Sequence, residues 1–191
     1  MNFTDAINEV VSITSRPDKR IEAGRQINRA LSFFTLKAEF SKDLIETSLA
    51  IDSTLYGQTV DISSFTRFRK FKYIRPTSRK YYLTDEDPKQ IFGPNGRIQL
   101  NKYFVAGSSL TITQSNLDSS LQVGYLTYAP ILTEVSPNDV YWMLTMIPYA
   151  VIEKAAAKIF QQIGDETSQK TYDASADVLF IAARNDFEIQ T

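Results

Sequence analysis

Residues 147–187, IPYAVIEKAAAKIFQQIGDETSQKTYDASADVLFIAARNDF, constrain the fold more than any other stretch of this chain. They predict two helices joined by a very short turn. Pro148 suits the first turn of a helix, where its missing N–H has no intrahelical partner. Val151, Ile152, Ala155, Ala156, Ile159, Phe160 and Ile163 then recur at three- and four-residue spacing. Gly164 can take the left-handed conformation that ends a helix, and Asp165 can cap the next. The second helix shows Tyr172, Ala176, Leu179 and Ala183 on one face. Ala155, Ala156 and Ala157 keep the first helix thin. So short a turn makes the two helices antiparallel. Burying each large apolar side chain is worth about 1.5–3 kcal/mol, so the hairpin needs an apolar partner from the rest of the chain.

The N-terminal part supplies helical candidates. Ala6, Ile7, Val10 and Val11 mark a short amphipathic helix over 5–13, with Thr4 as its cap. Arg16-Pro17 interrupts it, because the residue before proline is pushed out of the helical region. A longer helix over 17–38 carries Ile21, Gly24, Ile27, Leu31, Phe34 and Ala38 in one line. Gly24 costs this helix about 1 kcal/mol relative to alanine. Close packing against a neighbouring helix is its best explanation. Arg16, Lys19, Arg20, Arg25 and Arg29 read as a solvated face.

From Asp43 the period changes to two. Ile45, Thr47, Leu49 and Ile51 alternate with polar neighbours, as on a half-buried strand. Further strands are expected at 58–62, around Phe71 and Tyr73, at 80–83, and on a face shared by Ile98, Leu100 and Phe104. Gly93-Pro94-Asn95-Gly96 is a turn motif, since Asn-Gly readily adopts positive φ. Gly107-Ser108 predicts a tight hairpin into 110–113. A turn at 116–119 leads to a strand over 121–128, in which Gly124 marks a bulge. The whole reads as an antiparallel meander without a βαβ unit. Pro130 and Pro137 end it, and a short helix over 138–146 precedes the hairpin. The expected class is α+β. Residues 1–42 and 133–191 form one helical bundle, and 43–132 form an antiparallel β insertion projecting as a lobe.

With 191 residues the chain has room for one domain, or one domain with a sizeable insertion. No apolar run approaches the roughly 18 residues of a membrane span. The N-terminus lacks the order of a secretory signal. The absence of histidine and cysteine excludes disulfides, Ser-His-Asp and Cys-His chemistry, and nearly all zinc sites. Asp85-Glu86-Asp87-Pro88 offers three carboxylates for magnesium, but neighbours on an extended chain point to opposite faces. An exposed acidic turn closed by proline is the better reading. Asp61-Ile62-Ser63-Ser64 and Lys154 have no partner at any catalytic spacing, and no Walker loop or GxGxxG occurs. The chain is therefore expected not to be an enzyme and to need no cofactor or metal.

The sharpest local signal is FTRFRKFKYIRPTSRKYY, residues 65–82. Seven basic residues and no acidic one fall between Arg67 and Lys80, while nine acidic and four basic residues follow from Glu134 onward. Basic residues interleaved with aromatics can contact phosphates and stack on bases, which makes a nucleic-acid module one reading. A strand with rings inward and charges outward is a second. Docking of Arg67, Arg69, Lys70, Lys72 and Arg75 on an acidic surface, of another protein or another copy, is a third.

TSRPD at 14–18, FRKFKYIRP at 68–76, GSSLTI at 107–112, GYLTYAPIL at 124–132 and Trp142 followed by IPYAVIEKAAAKIFQQIGD together resemble the head-to-tail connector, or adaptor, proteins of tailed bacteriophages. The resemblance covers nearly the whole chain, and its motifs are structural. It implies a non-enzymatic virion protein, typically a dodecameric ring at the head–tail junction, assembled in the host cytoplasm. Such a ring lies beneath the portal protein, extends the DNA channel and provides the platform on which the tail or nozzle protein docks. Genomic DNA passes through without sequence-specific binding, and no membrane is involved. A near-neutral chain fits a channel that must not grip phosphates. Family members reach a neighbour through a chain end. On that analogy Phe187 and Ile189, in a tail over 185–191 that orders on docking, are the candidate portal contacts.

Overall fold

The computed structural model describes residues 1–91, 98–114, 118–135 and 140–189. Among them are six α-helices and two sheets, with helices at both ends of the chain and strands between. The chain divides into two compact units, a helical one of Met1–Asp43 with Tyr128–Thr191 and a β-rich one of Leu44–Thr127. The Gly93–Gly96 turn motif lies outside the described residues, as do Asn116, Pro137, Asn138, Gln190 and Thr191.

In the helical unit, α1 (Phe3–Thr14) is capped by Asn2 rather than Thr4, because the Asn2 carboxamide oxygen accepts the Asp5 N–H at 2.8 Å. Ser15 closes α1 in the left-handed region. Pro17–Lys19 makes one turn of 3₁₀ helix before α2 (Arg20–Lys37). The buried line of α2 contains Ala23, Gly24, Ile27, Ala30, Leu31 and Phe34, but Ile21 is 77% exposed, one turn too early to reach the core. A Cβ at Gly24 would stand 3.2 Å from Ile7 and 3.4 Å from Phe3, so close packing of α1 on α2 explains this glycine.

After α3 (Pro88–Ile91), in the β unit, and α4 (Trp142–Met146), the hairpin follows as α5 (Pro148–Ile163) and α6 (Glu166–Phe187). Gly164, at φ 80°, ends α5 with its own N–H on Gln161 O and the Asp165 N–H on Phe160 O. This two-bond closure stops a helix sharply. The Asp165 carboxylate then accepts the Ser168 N–H at 3.0 Å, so one residue closes α5 and opens α6. The expected face of α5 is buried except at Ile163. On α6 the buried residues are Ala176, Phe180 and Ala183. Phe180, not Leu179, faces inward, stacked on Phe34 with ring centroids 4.6 Å apart. Asn28 clasps the chain at Leu132 through both its amide atoms, at 2.9 and 3.0 Å, which holds this segment to α2.

The β unit holds a three-stranded sheet in the order β1 (Leu44–Ala50), β7 (Ser120–Thr127), β3 (Phe68–Pro76). Its second sheet runs β2 (Gly57–Asp61), β6 (Ser109–Thr113), β5 (Lys102–Ala106), β4 (Thr84–Asp85). A shared core of Phe71, Ile74, Leu83, Tyr103, Ile112 and Val123, with their neighbours, joins both sheets. The meander expectation fails in most places. Among the described residues only β5–β6 is a local hairpin, turned at Gly107, whereas β1 and β3 both pair with the distant β7 and β2 pairs with β6. β4 lies parallel to β5, and the crossover between them contains the one-turn helix α3 (Pro88–Ile91). Residues 80–83 form no strand, and Ile98 and Leu100 lie outside β5 and are exposed.

Candidate assembly surfaces

The basic aromatic segment becomes β3 and its approach. Arg67 sits at φ 52° in the turn before the strand. Opposite β7 the register slips twice, so that Arg69 and Lys72 are the inserted residues of two bulges. A regular strand buries every second residue. With two insertions the inward residues become Phe68, Phe71 and Ile74, three apart, opposite Thr127, Tyr125 and Val123. The rings of Phe65, Phe68, Phe71 and Tyr125 then pack together, with Phe65 stacked on Tyr125 at 4.7 Å. These rings are committed to the core, which removes most of the stacking platform that base recognition requires.

Gly124, expected to mark a bulge, lies instead opposite one. A Cβ there would fall within 2.7 and 2.8 Å of two atoms of the Tyr73 ring, as well as meeting a third. The absence of a side chain lets Tyr73 cross β7 and donate its hydroxyl to Glu46 on β1. Burial, and then the Glu46 carboxylate, push the Tyr73 phenol up to about 12.

The five candidate basic residues do not share one setting. Arg69 and Lys70 line a cavity of about 390 Å³ together with Asp85, Glu86, Phe71 and Tyr103. Arg75 turns its guanidinium to the Gln122 carboxamide, with Nε at 3.0 Å. The acidic run disperses as well. Asp85 sits in β4, Glu86 pairs with Lys102 at 2.7 Å, and Asp87 accepts the Lys89 N–H at the start of α3. Among the described residues no group of three acidic side chains is placed to hold a metal ion.

The C-terminal residues have a place in their own unit, contrary to the expected loose tail. α6 runs on through Phe187, whose ring meets Trp142 edge-on at 5.8 Å. Glu188 bridges to Phe40, and the Ile189 N–H donates to Glu39 O at 2.8 Å.

Two polar clusters of the helical unit were not recognised in the sequence as sites. Asp43, deeply buried, accepts the Tyr141 hydroxyl at 2.5 Å and the Trp142 indole N–H at 2.8 Å. Burial first, then the Asp43 charge and hydrogen bond, raise the Tyr141 phenol far above its ordinary value. Lys154, also buried, reaches Asp173 at 2.7 Å and Asp177 at 3.3 Å and stands 4.9 Å from the Phe33 ring. The signal available in the sequence is Asp173 and Asp177, four apart and so on one face of α6, and both turn to Lys154. Beside Lys154 opens a cavity of about 500 Å³ lined by Gln26, Arg29, Ala30, Phe33, Lys154 and Lys158. The N-terminal basic residues read as a solvated face mostly have partners: Arg16 pairs with Asp18, Arg20 with Glu134, and Arg25 and Arg29 lie by Glu22.

No helix among the described residues is long and apolar enough to cross a membrane. No protein-family model matches the chain, and no curated protein matches it.

Proposed function

We propose that this chain is a non-catalytic structural subunit of a phage virion, a head-to-tail adaptor that assembles as a ring, of twelve copies by the resemblance. In this reading the helical unit is the bundle of the ring and the β unit is the lobe that projects from it. The ring contacts the portal protein on one side and the tail or nozzle protein on the other, and genomic DNA passes through its lumen.

The observation that carries the reading is the division of charge between the units. The β unit has ten basic and seven acidic residues, net +3. The helical unit has eleven basic and fifteen acidic residues, net −4. A closed ring is built from head-to-tail contacts between two different patches, which must be complementary. A chain whose two units carry opposite net charges brings both patches with it. The near cancellation, net −1 for the whole chain, fits a channel that must not grip DNA. Surface attraction of this kind acts over a Debye length of about 8 Å at physiological salt, so it steers neighbours more than it binds them.

The test is electron microscopy of the purified protein, alone and mixed with portal, with mass measured in solution. Rings, alone or on portal, are expected. A monomer that ignores portal and binds short duplex DNA with steep salt dependence would replace this reading with the nucleic-acid module.

A further inference from the structure

We propose that the cavity beside Lys154 receives the Asp52–Tyr56 loop of a neighbouring copy; this rests on the ring reading and names the contact that closes it. The loop is built for presentation. The Asp52 N–H donates to the Gln58 carboxamide oxygen at 2.9 Å, and the Gln58 amide returns a bond to Asp52 O at 3.0 Å. The Asp52 carboxylate accepts both the N–H and the hydroxyl of Thr54 through Oδ1. Buried Gln114 holds the other side, with its N–H on Tyr56 O at 2.8 Å and its side chain on Leu55 O at 3.3 Å. A backbone this well clamped nonetheless leaves Leu55 46% and Tyr56 54% exposed. A rigid loop loses little entropy on docking, and an adjacent leucine and tyrosine beside a carboxylate make an anchor with a charge to orient it.

The cavity has the matching chemistry. Its floor is Ala30 and the Phe33 ring, and its walls carry Arg29, Lys154 and Lys158 with no carboxylate among the lining residues. Lys154 is occupied by Asp173 and Asp177 and serves as a wall. Arg29, with a side chain 71% exposed and a loose 3.9 Å contact to Glu22, and Lys158, whose ammonium meets the neutral Gln161 carboxamide at 3.2 Å, stand at the mouth. The apolar pair enters over Phe33 and Ala30, and Asp52 meets Arg29 and Lys158. Both surfaces belong to this chain, and a ring sets a surface of one copy against a different surface of its neighbour, so the proposed occupant is another copy. The two patches differ, so each contact leaves one loop and one cavity free to continue the ring.

The chain contains no cysteine, so a pair can be introduced without background. Ser53→Cys with Lys158→Cys, oxidised on assembled rings, should give a ladder of covalent oligomers on a denaturing gel, while either single variant stays monomeric. Rings that form yet remain monomeric on that gel overturn this contact and leave the ring reading standing. Arg29→Glu with Lys158→Glu should abolish assembly while Trp142 fluorescence stays native, and adding Asp52→Lys should restore it. Normal rings from the double reversal also overturn the contact. If the wild-type chain forms no ring with or without portal, the ring reading fails. A labelled peptide of residues 50–58 titrated with the full chain then decides. Saturable binding weakened about tenfold or more by the double reversal supports the contact, and equal or absent binding overturns it.

Discussion

The helical unit takes charged groups into its interior, and the β unit does not. Of the described residues, the buried charged ones are Asp43 and Lys154, both helical. The β unit fills its core with aliphatic and aromatic side chains and buries only neutral polar groups, such as Thr113 and Gln114. The difference follows from how each element is aligned. A strand's register is set by its hydrophobic pattern and its turns, because a slip of one residue sends every side chain to the other face, so a shape-matched apolar core is enough to fix it. Two helices packed through smooth apolar faces can rotate or slide with little penalty. Ion pairs and hydrogen bonds at fixed points, here Lys154 to α6 and Asp43 to Tyr141 and Trp142, select one arrangement. A defect in the helical unit should therefore be one of unsatisfied charge, and a defect in the β unit one of steric misfit.

The largest effect is expected from Asp43→Ala. It strands the buried Tyr141 hydroxyl and the half-buried Trp142 indole N–H, and an unsatisfied buried donor costs about 1–3 kcal/mol, so a total of about 3–4 kcal/mol is expected. Trp142 is the single tryptophan and touches Asp43, so its fluorescence reports the helical unit directly. A denaturant midpoint that stays unchanged by this probe would show that the buried charge of Asp43 does not fix the helical arrangement.

Gly124→Ala tests the other side. Its added methyl meets the Tyr73 ring, for an overpacking cost of about 2–3 kcal/mol. Tyr73→Ala in the same chain should recover much of the loss. If the cost is one of shape, the pair is strongly non-additive. Additive losses would mean that strand bending, rather than the ring, sets the need for glycine. Hydrogen exchange at β7 follows this variant. A shift in Trp142 fluorescence of equal size would show that the two units unfold as one.

Phe187→Ala should cost about 1–2 kcal/mol by the Trp142 probe, less than a fully buried phenylalanine because this ring is half-exposed. An unchanged midpoint would return Phe187 to the role of a contact reserved for a partner.

The smallest effect concerns acid. Glu22 accepts a hydrogen bond from Gln162 on α5, at 3.1 Å, and one from Gln26. These bonds, with help from Arg25 and Arg29, hold its carboxyl below the ordinary value of 4.5. A depressed carboxylate contributes stability above its unfolded pKa and loses it as pH falls through the folded one. Stability should thus decline as pH falls below about 4.5, and Glu22→Gln should show less of this decline. Identical acid profiles would remove Glu22 from the contacts that tie α2 to α5.

These energetics also explain what could be read in advance. The α5–α6 hairpin was legible because helix period, Gly164 and Asp165 are local signals, each interpretable within a few residues. On α6 the expected face holds at Ala176 and Ala183 and differs at Leu179, because Leu179 and Phe180 are both apolar and only the ring of Phe34 across the core decides between them. β3 was legible as a strand but not as a doubly bulged one. Its three-residue spacing of Phe68, Phe71 and Ile74 makes sense only beside β7, some fifty residues away. The parallel pairing of β4 with β5 left no periodic trace in so short a strand. For the assembly surfaces, the basic residues were found by count, but their separation between a cavity, two bulges and a side-chain hydrogen bond depends on pairing that no local window contains.

Leu44 lies directly opposite Leu126, where the β unit begins and ends. Paired residues on antiparallel strands stand about 4.5–5.5 Å apart, so the chain leaves the helical unit and returns to it through a gap narrower than two residues of extended backbone. Everything from 44 to 127 is therefore a cassette on a closed stem. It can lengthen, shrink or be exchanged for an unrelated cassette without altering the span that the helical unit has to bridge. Sequence change within the cassette is then free of that span, while the helices that carry it stay as they are.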